Sequence, residues 1–124
     1  MKKLILGTVQ MGLDYGINNK LGKITLEESH QILLRAHESG ITTLDTAEAY
    51  GDAHKVIGAF HRSYPNHNFN IVTKVPHGID EKNIEHKTKE YLEDLEVDYL
   101  EILMFHSFDS FKSNQNAFVK LLKL

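Results

Sequence analysis

Four residues that follow short apolar runs carry side chains of complementary chemistry: Asp45, Tyr50, Lys74 and His106. A tyrosine phenol has a pKa of about 10 and is a poor proton donor at neutral pH. A nearby ammonium stabilises the phenolate and lowers that pKa. A partly buried ammonium needs an anionic partner, which an aspartate supplies. A neutral histidine can hydrogen-bond a substrate oxygen. Together these four side chains predict a site that protonates or holds an oxyanion.

Two of these residues lie in one stretch, LDTAEAYG at 44–51, which places two carboxylates and a phenol after an apolar approach. Each candidate alone has an ordinary explanation: a turn carboxylate, a packing tyrosine, a solvated lysine, or a histidine bonded to a carbonyl. The combination favours a functional site, because four complementary groups rarely converge by chance. Within the stretch, we expect Glu48 and Ala49 to shape the mouth of a substrate pocket rather than to do chemistry.

Four apolar runs are typical of strands buried on both faces, as in a parallel sheet: 4–6, 41–44, 71–72 and 99–105. Helical patterns separate them, which predicts parallel strands joined by right-handed crossovers. In such sheets, function gathers at the carboxyl ends of the strands. Gly7 with Thr8, Asp45, Lys74 and His106 would then meet at one rim.

The helical patterns have recognisable starts and stops. A capping box begins at Thr25, and Gly40 is a natural C-terminal stop. Asp52 and Asp80 are candidate N-caps of the next two helices. A fourth helix is expected to begin near Ser113.

The order of elements predicts an α/β protein built from the first four units of a TIM-type (β/α)8 barrel, a truncated half-barrel. The chain has 124 residues and no linker, whereas a complete barrel needs about 250 residues. The last predicted helix ends on Leu121–Leu124 without a stop signal, which suggests an interruption. We expect the glycine-rich segment between Gly7 and the first long helix to hold a turn or hairpin.

Composition excludes several classes of protein. The balance of 14 basic and 17 acidic residues argues against nucleic acid as a partner, and the chain has no cysteine for a disulfide or thiolate metal site. The eight histidines include no HExxH motif, so no metal is expected. The apolar part of MKKLILGTVQ is too short for a signal peptide, and no run is long enough for a membrane span. A cytoplasmic protein is the simplest expectation.

The segments at the ends of the four predicted strands carry a family resemblance. The segments LILGTVQ, ITTLDTAEAYG, IVTKV and YLEILMFH resemble the successive strand-end motifs of the aldo-keto reductase superfamily. The stretch LDTAEAYG is similar to that family's Asp-x4-Tyr signature. The resemblance covers the whole chain, so residues 1–124 are interpreted as the N-terminal half of an aldo-keto reductase domain.

The resemblance implies a (β/α)8 barrel that reduces a small carbonyl substrate with NADPH. It implies that Tyr50 is the general acid, that Lys74 tunes it, that Asp45 orients Lys74 and that His106 positions the carbonyl. The cofactor-binding residues that it implies near the nicotinamide are Gly7, Thr8 and Asp45.

The sequence also departs from the family pattern. Segments for strands five to eight, which carry most cofactor contacts in the family, are not in this sequence, and 107–109 replaces the usual His-Pro or Asn-Pro continuation. We therefore expect weak or no activity from this chain alone, with the missing half or self-association completing it. Two alternatives stay open: a non-catalytic half-barrel acting as a folding or assembly unit, and a barrel enzyme using Lys74 as a Schiff-base nucleophile.

Overall fold

The computed structural model describes residues 4–124, in which four strands form one parallel sheet. The strands are β1 (Leu6–Gly7), β2 (Thr43–Asp45), β3 (Asn70–Val75) and β4 (Ile102–Phe105), and they lie in sequence order. In the register of the sheet, Gly7 is opposite Asp45 and Lys74 is opposite Met104. The carboxyl ends of the strands therefore lie at one edge, as the sequence predicted.

The connections between the strands are helical. The helices are α1 (Val9–Gly12), α2 (Leu26–Glu38), α3 (Ala53–Ser63), α4 (Ile84–Leu95), α5 (Phe108–Ser113) and α6 (Gln115–Leu121). Strand and helix alternate through all four units, so the predicted α/β order is confirmed. None of the helices in residues 4–124 is both long enough and apolar enough to cross a membrane.

The first long helix begins and ends as its sequence predicts. The Thr25 side chain accepts a hydrogen bond from the Glu28 backbone, and the Glu28 carboxylate accepts one from the Thr25 backbone at 2.9 Å. Gly40 follows the helix with φ of 84°, a left-handed conformation that glycine adopts at low cost.

The other two predicted caps are confirmed only in part. Asp52 is the N-cap residue of α3, as predicted, but its side chain makes no capping hydrogen bond and its carboxylate pairs with Lys23 at 2.6 Å. The prediction for Asp80 is wrong, because Asn83 is the N-cap residue of α4. Asp80 accepts hydrogen bonds from the backbones of Lys82 and Asn83, so it shapes the turn before α4. Local sequence signals could not distinguish a cap from a turn or from a distant ion pair.

The last helical segment differs from expectation. The single helix expected from Ser113 is two short helices, the first of which is capped by Ser107 and begins at Phe108. After Gly7 the chain forms the short helix α1 and then turns, which is the first of the two alternatives expected there. The Asn19 side chain holds one of these turns through backbone groups of Tyr15, Leu21 and Gly22.

The core lies between the sheet and the helices α2, α3 and α4. Its largest fully buried side chains include Leu33, Phe60, Ile71, Tyr91 and Leu95. Of the strands, only β3 is mostly buried, whereas β4 is exposed or half-buried along its whole length. The prediction that all four strands are buried on both faces is therefore wrong, most clearly for β1 and β4, which form the two edges of this sheet.

Candidate active site

An ion pair joins the ends of β2 and β3. Lys74 Nζ lies 2.6 Å from Asp45 Oδ1 and donates a second hydrogen bond to the Thr46 carbonyl at 3.1 Å. The side chains are 16% and 34% exposed, respectively, so the pair is only partly solvated. Two of the predicted site residues, 29 positions apart in sequence, are thus in direct contact.

Tyr50 lies in the loop between β2 and α3, beside that pair. Lys74 Nζ lies 5.4 Å from the centroid of the Tyr50 ring, within the range of a cation–π contact. The backbone of this loop turns back on itself, since the Tyr50 N–H donates to the Ala47 carbonyl at 3.0 Å. Asp45, Lys74 and Tyr50 therefore form one cluster.

The short helix α1 packs closely against the backbone of this loop. A Cβ atom at Gly12 would lie 1.6 Å from the Tyr50 carbonyl oxygen, so only glycine fits there. On the other side of the contact, Gly51 has φ of 58° and lies against the Gly12 carbonyl. The glycine at 12, which sequence reasoning did not assign to the site, thus supports the position of Tyr50.

His106 directly follows β4 at the same edge of the sheet. Its ring centroid lies 4.5 Å from that of His77. Burial, with smaller contributions from the charges of His77 and Lys74, holds the pKa of His106 below its usual range. The neutral imidazole is therefore favoured, and its Nδ1 atom is buried without a hydrogen-bond partner in the described residues.

The end of β1 supplies Gly7 and Thr8. Thr8 is buried, and both its N–H and its hydroxyl donate to the Asp45 carbonyl at 3.0 Å. Gly7 is exposed, and a Cβ built there would meet no atom within 4 Å. Thr8 therefore holds the end of β2, while the surface over Gly7 is open; contact of either residue with a cofactor stays a prediction.

Glu48 makes contacts that the sequence did not predict. Its carboxylate accepts a hydrogen bond from the Tyr91 hydroxyl and lies 3.0 Å from Lys87 Nζ, so it is held against α4. Its expected place at the mouth of a substrate pocket stays a prediction. Ala49 is exposed, as expected of a residue at the surface. Sequence patterns gave no sign of this contact, since Tyr91 reads only as an apolar residue of the α4 face.

The histidines form no metal site in the part of the chain that the structure describes. No group of three or more histidine or carboxylate side chains is placed to hold a metal ion there. His54 and His61 instead bond to Thr73 and to the Leu95 carbonyl, each at 2.8 Å.

The arrangement at the strand ends agrees with a match to a known family. Residues 3–123 match the model of the aldo/keto reductase family. The chain belongs to the aldo/keto reductase family. The resemblance drawn from the strand-end motifs is therefore confirmed.

Solved structures of aldo-keto reductases share the fold of this family member. A Pseudomonas aeruginosa protein provisionally assigned as an aldo-keto reductase is 27% identical, with a TM-score of 0.78 over 96% of this chain and 49% of its own. A second Pseudomonas aeruginosa structure with the same provisional assignment is 26% identical, with a TM-score of 0.74 over 96% and 48%. An aldo/keto reductase of Klebsiella pneumoniae, solved with NADP and acetate, is 26% identical, with a TM-score of 0.53 over 82% and 34%.

This aldo/keto reductase chain spans about half the length of the Pseudomonas structures that it matches. Those neighbours are TIM-type barrels, so the four βα units described above correspond to a part of such a barrel. The prediction of parallel (β/α) units of a TIM-type barrel is confirmed.

Proposed function

We propose that this chain supplies the proton-donating part of an NADPH-dependent carbonyl reductase site, with Tyr50 as the general acid. The observation that carries the proposal is the cluster in which Lys74 contacts Asp45 at 2.6 Å and lies 5.4 Å from the Tyr50 ring. A phenol beside a held ammonium is suited to give a proton to a developing alkoxide. The complex of the Klebsiella relative with NADP supports the choice of cofactor.

Each residue has a defined part in the proposed reaction. Asp45 holds the Lys74 ammonium, and the ammonium stabilises negative charge on Tyr50 Oη after the proton leaves. His106 stays neutral, and because its Nδ1 is buried, Nε2 is the nitrogen left to hydrogen-bond the carbonyl oxygen. A small aldehyde or ketone held between His106 and Tyr50 would be oriented for protonation at oxygen.

The residues at the end of β1 fit the near end of a nicotinamide cofactor, which supplies the hydride when bound. The open surface over Gly7 leaves room for a flat ring beside Asp45. The remaining contacts to such a cofactor are proposed to come from a second half-barrel, in the same natural chain, in another chain or in a second copy.

The Schiff-base alternative is not favoured by this geometry. Nucleophilic attack requires a neutral amine. Lys74 Nζ is engaged in an ion pair with Asp45 at 2.6 Å, so we propose an electrostatic role for this lysine.

A chimera tests the proposal most directly. Residues 1–124 would replace the corresponding half of the Pseudomonas structure that matches over 49% of its length. We expect NADPH oxidation with an aldehyde panel, and a loss of about 100- to 10,000-fold on Tyr50→Phe. Tyr99→Phe, at the opposite end of β4, is the matched control and should keep turnover.

Full turnover in a Tyr50→Phe chimera would contradict the assignment of the acid. For the unmodified chain, we expect no turnover and weak cofactor binding, measured by titrating NADPH into purified protein. Micromolar binding with aldehyde turnover would show that these four units suffice.

The sheet edges favour a second candidate function, that of a folding or assembly unit. Apolar side chains beside the edge strands are widely exposed, among them Leu4 at 62%, Phe108 at 71% and Leu122 at 71%. Free strand edges and apolar patches of this kind promote association. A stable monomer in sedimentation at high concentration would count against this candidate.

A further inference from the structure

The backbone of Glu48 is attached to the strand that carries Lys74. Its N–H donates to the Lys74 carbonyl at 3.2 Å, while Lys74 Nζ donates to the Thr46 carbonyl at 3.1 Å. The loop that carries Tyr50 is therefore bonded to both the main chain and the side chain of Lys74. A single residue, Ala49, separates Glu48 from Tyr50.

The side chain of Glu48 attaches the same loop to α4. Its carboxylate accepts from the Tyr91 hydroxyl and pairs with Lys87 Nζ at 3.0 Å, while Lys87 also pairs with Glu90 at 3.0 Å. Burial and the hydrogen bond to Glu48 raise the pKa of Tyr91, so its hydroxyl remains a donor at all ordinary pH values. These contacts hold Glu48 from two successive turns of α4.

A buried ring contact and a buried hydrogen bond connect Tyr91 to β3. The Tyr91 ring lies edge-on to the His54 ring at 5.1 Å, and His54 Nε2 lies 2.8 Å from Thr73 Oγ1. Tyr91, His54 and Thr73 are all buried, and Thr73 directly precedes Lys74. The Tyr50 loop is thus connected to β3 by a second route, through α4 and α3.

We infer that Glu48 is a positioning residue: its side chain fixes to α4 a loop whose backbone is already bonded to β3, and it thereby holds Tyr50 beside Lys74. The inference rests on the proposed function for its catalytic meaning, but the geometric claim concerns this chain alone. If Glu48 merely stabilised α4, its loss would lower the stability without changing the relation of Tyr50 to Lys74.

The test measures that relation by NMR of the 124-residue chain labelled with carbon-13 at the tyrosine ring. Tyr50→Phe assigns the Tyr50 signal. Lys74→Met should shift this signal, because the ammonium lies 5.4 Å from the ring centroid. The quantity compared between backgrounds is the size of this Lys74-dependent shift.

In the Glu48→Ala background, we expect most of the Lys74-dependent shift to be lost. Glu48→Gln should restore it, because the amide oxygen can still accept from the Tyr91 hydroxyl. Glu85→Ala breaks an exposed ion pair with Lys89 on the same helix and should leave the shift intact. Leu95→Ala, a core change on α4, controls for a general loss of stability.

An unchanged Lys74-dependent shift in Glu48→Ala would overturn the inference, as would an equal loss in Glu85→Ala or Leu95→Ala. Should Glu48→Ala fail to fold, Tyr91→Phe removes only the hydroxyl, and the same reduction of the shift is expected from it. An unaltered shift in a folded Tyr91→Phe variant would then overturn the inference.

The outcome is separable from that of the proposed function. The NMR measurement needs neither cofactor nor turnover, so an inactive chimera would leave it valid. Conversely, the chimera could lose turnover on Tyr50→Phe while the Lys74-dependent shift stays unchanged in Glu48→Ala. That result would support the proposed function and refute the positioning role of Glu48.

Discussion

Lys74 Nζ lies 2.6 Å from Asp45 Oδ1, and this contact joins the carboxyl ends of two neighbouring parallel strands. Both side chains are largely removed from water, so the pair is stronger than an ion pair on the open surface. It also fixes the ammonium next to Tyr50.

Lys74→Met leaves Asp45 without its counterion, and we expect the free energy of unfolding to fall by about 1–3 kcal/mol in urea titrations at neutral pH. Adding Asp45→Asn to that variant should recover part of the loss, because no unpaired charge then remains. Lys89→Met breaks a more exposed pair with Glu85 and should cost about 0.5 kcal/mol or less. Equal costs for the two lysines would contradict the prediction.

Gly12→Ala should disrupt the support of the Tyr50 loop, because the new methyl group would lie 1.6 Å from the Tyr50 carbonyl oxygen. The backbone must shift to relieve this contact, so we expect a loss of about 2 kcal/mol or more and a lower melting temperature. Gly78→Ala is the control, since a Cβ there meets nothing within 4 Å. A melting temperature unchanged in Gly12→Ala would refute the close approach.

Protonation of buried His54 should destabilise the fold in acid. Burial lowers the pKa of His54 to about 4, from an ordinary value of 6.5. Between these values the unfolded chain binds a proton that the native chain does not, so stability falls as the pH falls. Over the whole interval between the two pKa values, the free energy of unfolding should fall by about 3 kcal/mol.

Urea unfolding at several pH values from about 4 to 7 measures this effect. His54→Gln should flatten the dependence without abolishing it, because burial also lowers the pKa of His61. A dependence of the same steepness in the variant would show that other groups are responsible.

The titration of His106 should respond to its neighbours. Burial, His77 and Lys74 each lower its pKa, so NMR should find a midpoint below that of an unperturbed histidine. His77→Ala and Lys74→Met should each raise the midpoint, because each removes positive charge that opposes protonation. Lys89→Met removes a lysine from α4 and should leave the His106 midpoint unchanged. An equal rise of the midpoint in Lys89→Met would mean that the effect is not local.

Sequence reasoning recovered what depends on neighbouring residues. The Thr25 capping box and the stop at Gly40 follow from interactions within a single turn, and the structure has both. It placed Asp52 correctly at the N-cap of α3 but missed that its carboxylate pairs with Lys23, 29 positions earlier in the chain. A capping residue type shows which local hydrogen bond a side chain can make, but a partner distant in sequence can compete for the same side chain.

The sequence by itself determined the alternation of strands and helices and the residues that follow each strand. Parallel strands align their carboxyl ends, so Asp45 and Lys74 had to approach one another once both strands joined the sheet. Only the tertiary structure decided that Glu48 meets Tyr91, 43 positions away, and that Gly12 lies against Tyr50. Such contacts depend on how helices pack over the sheet, and packing is set by the shapes of many side chains together rather than by any local pattern.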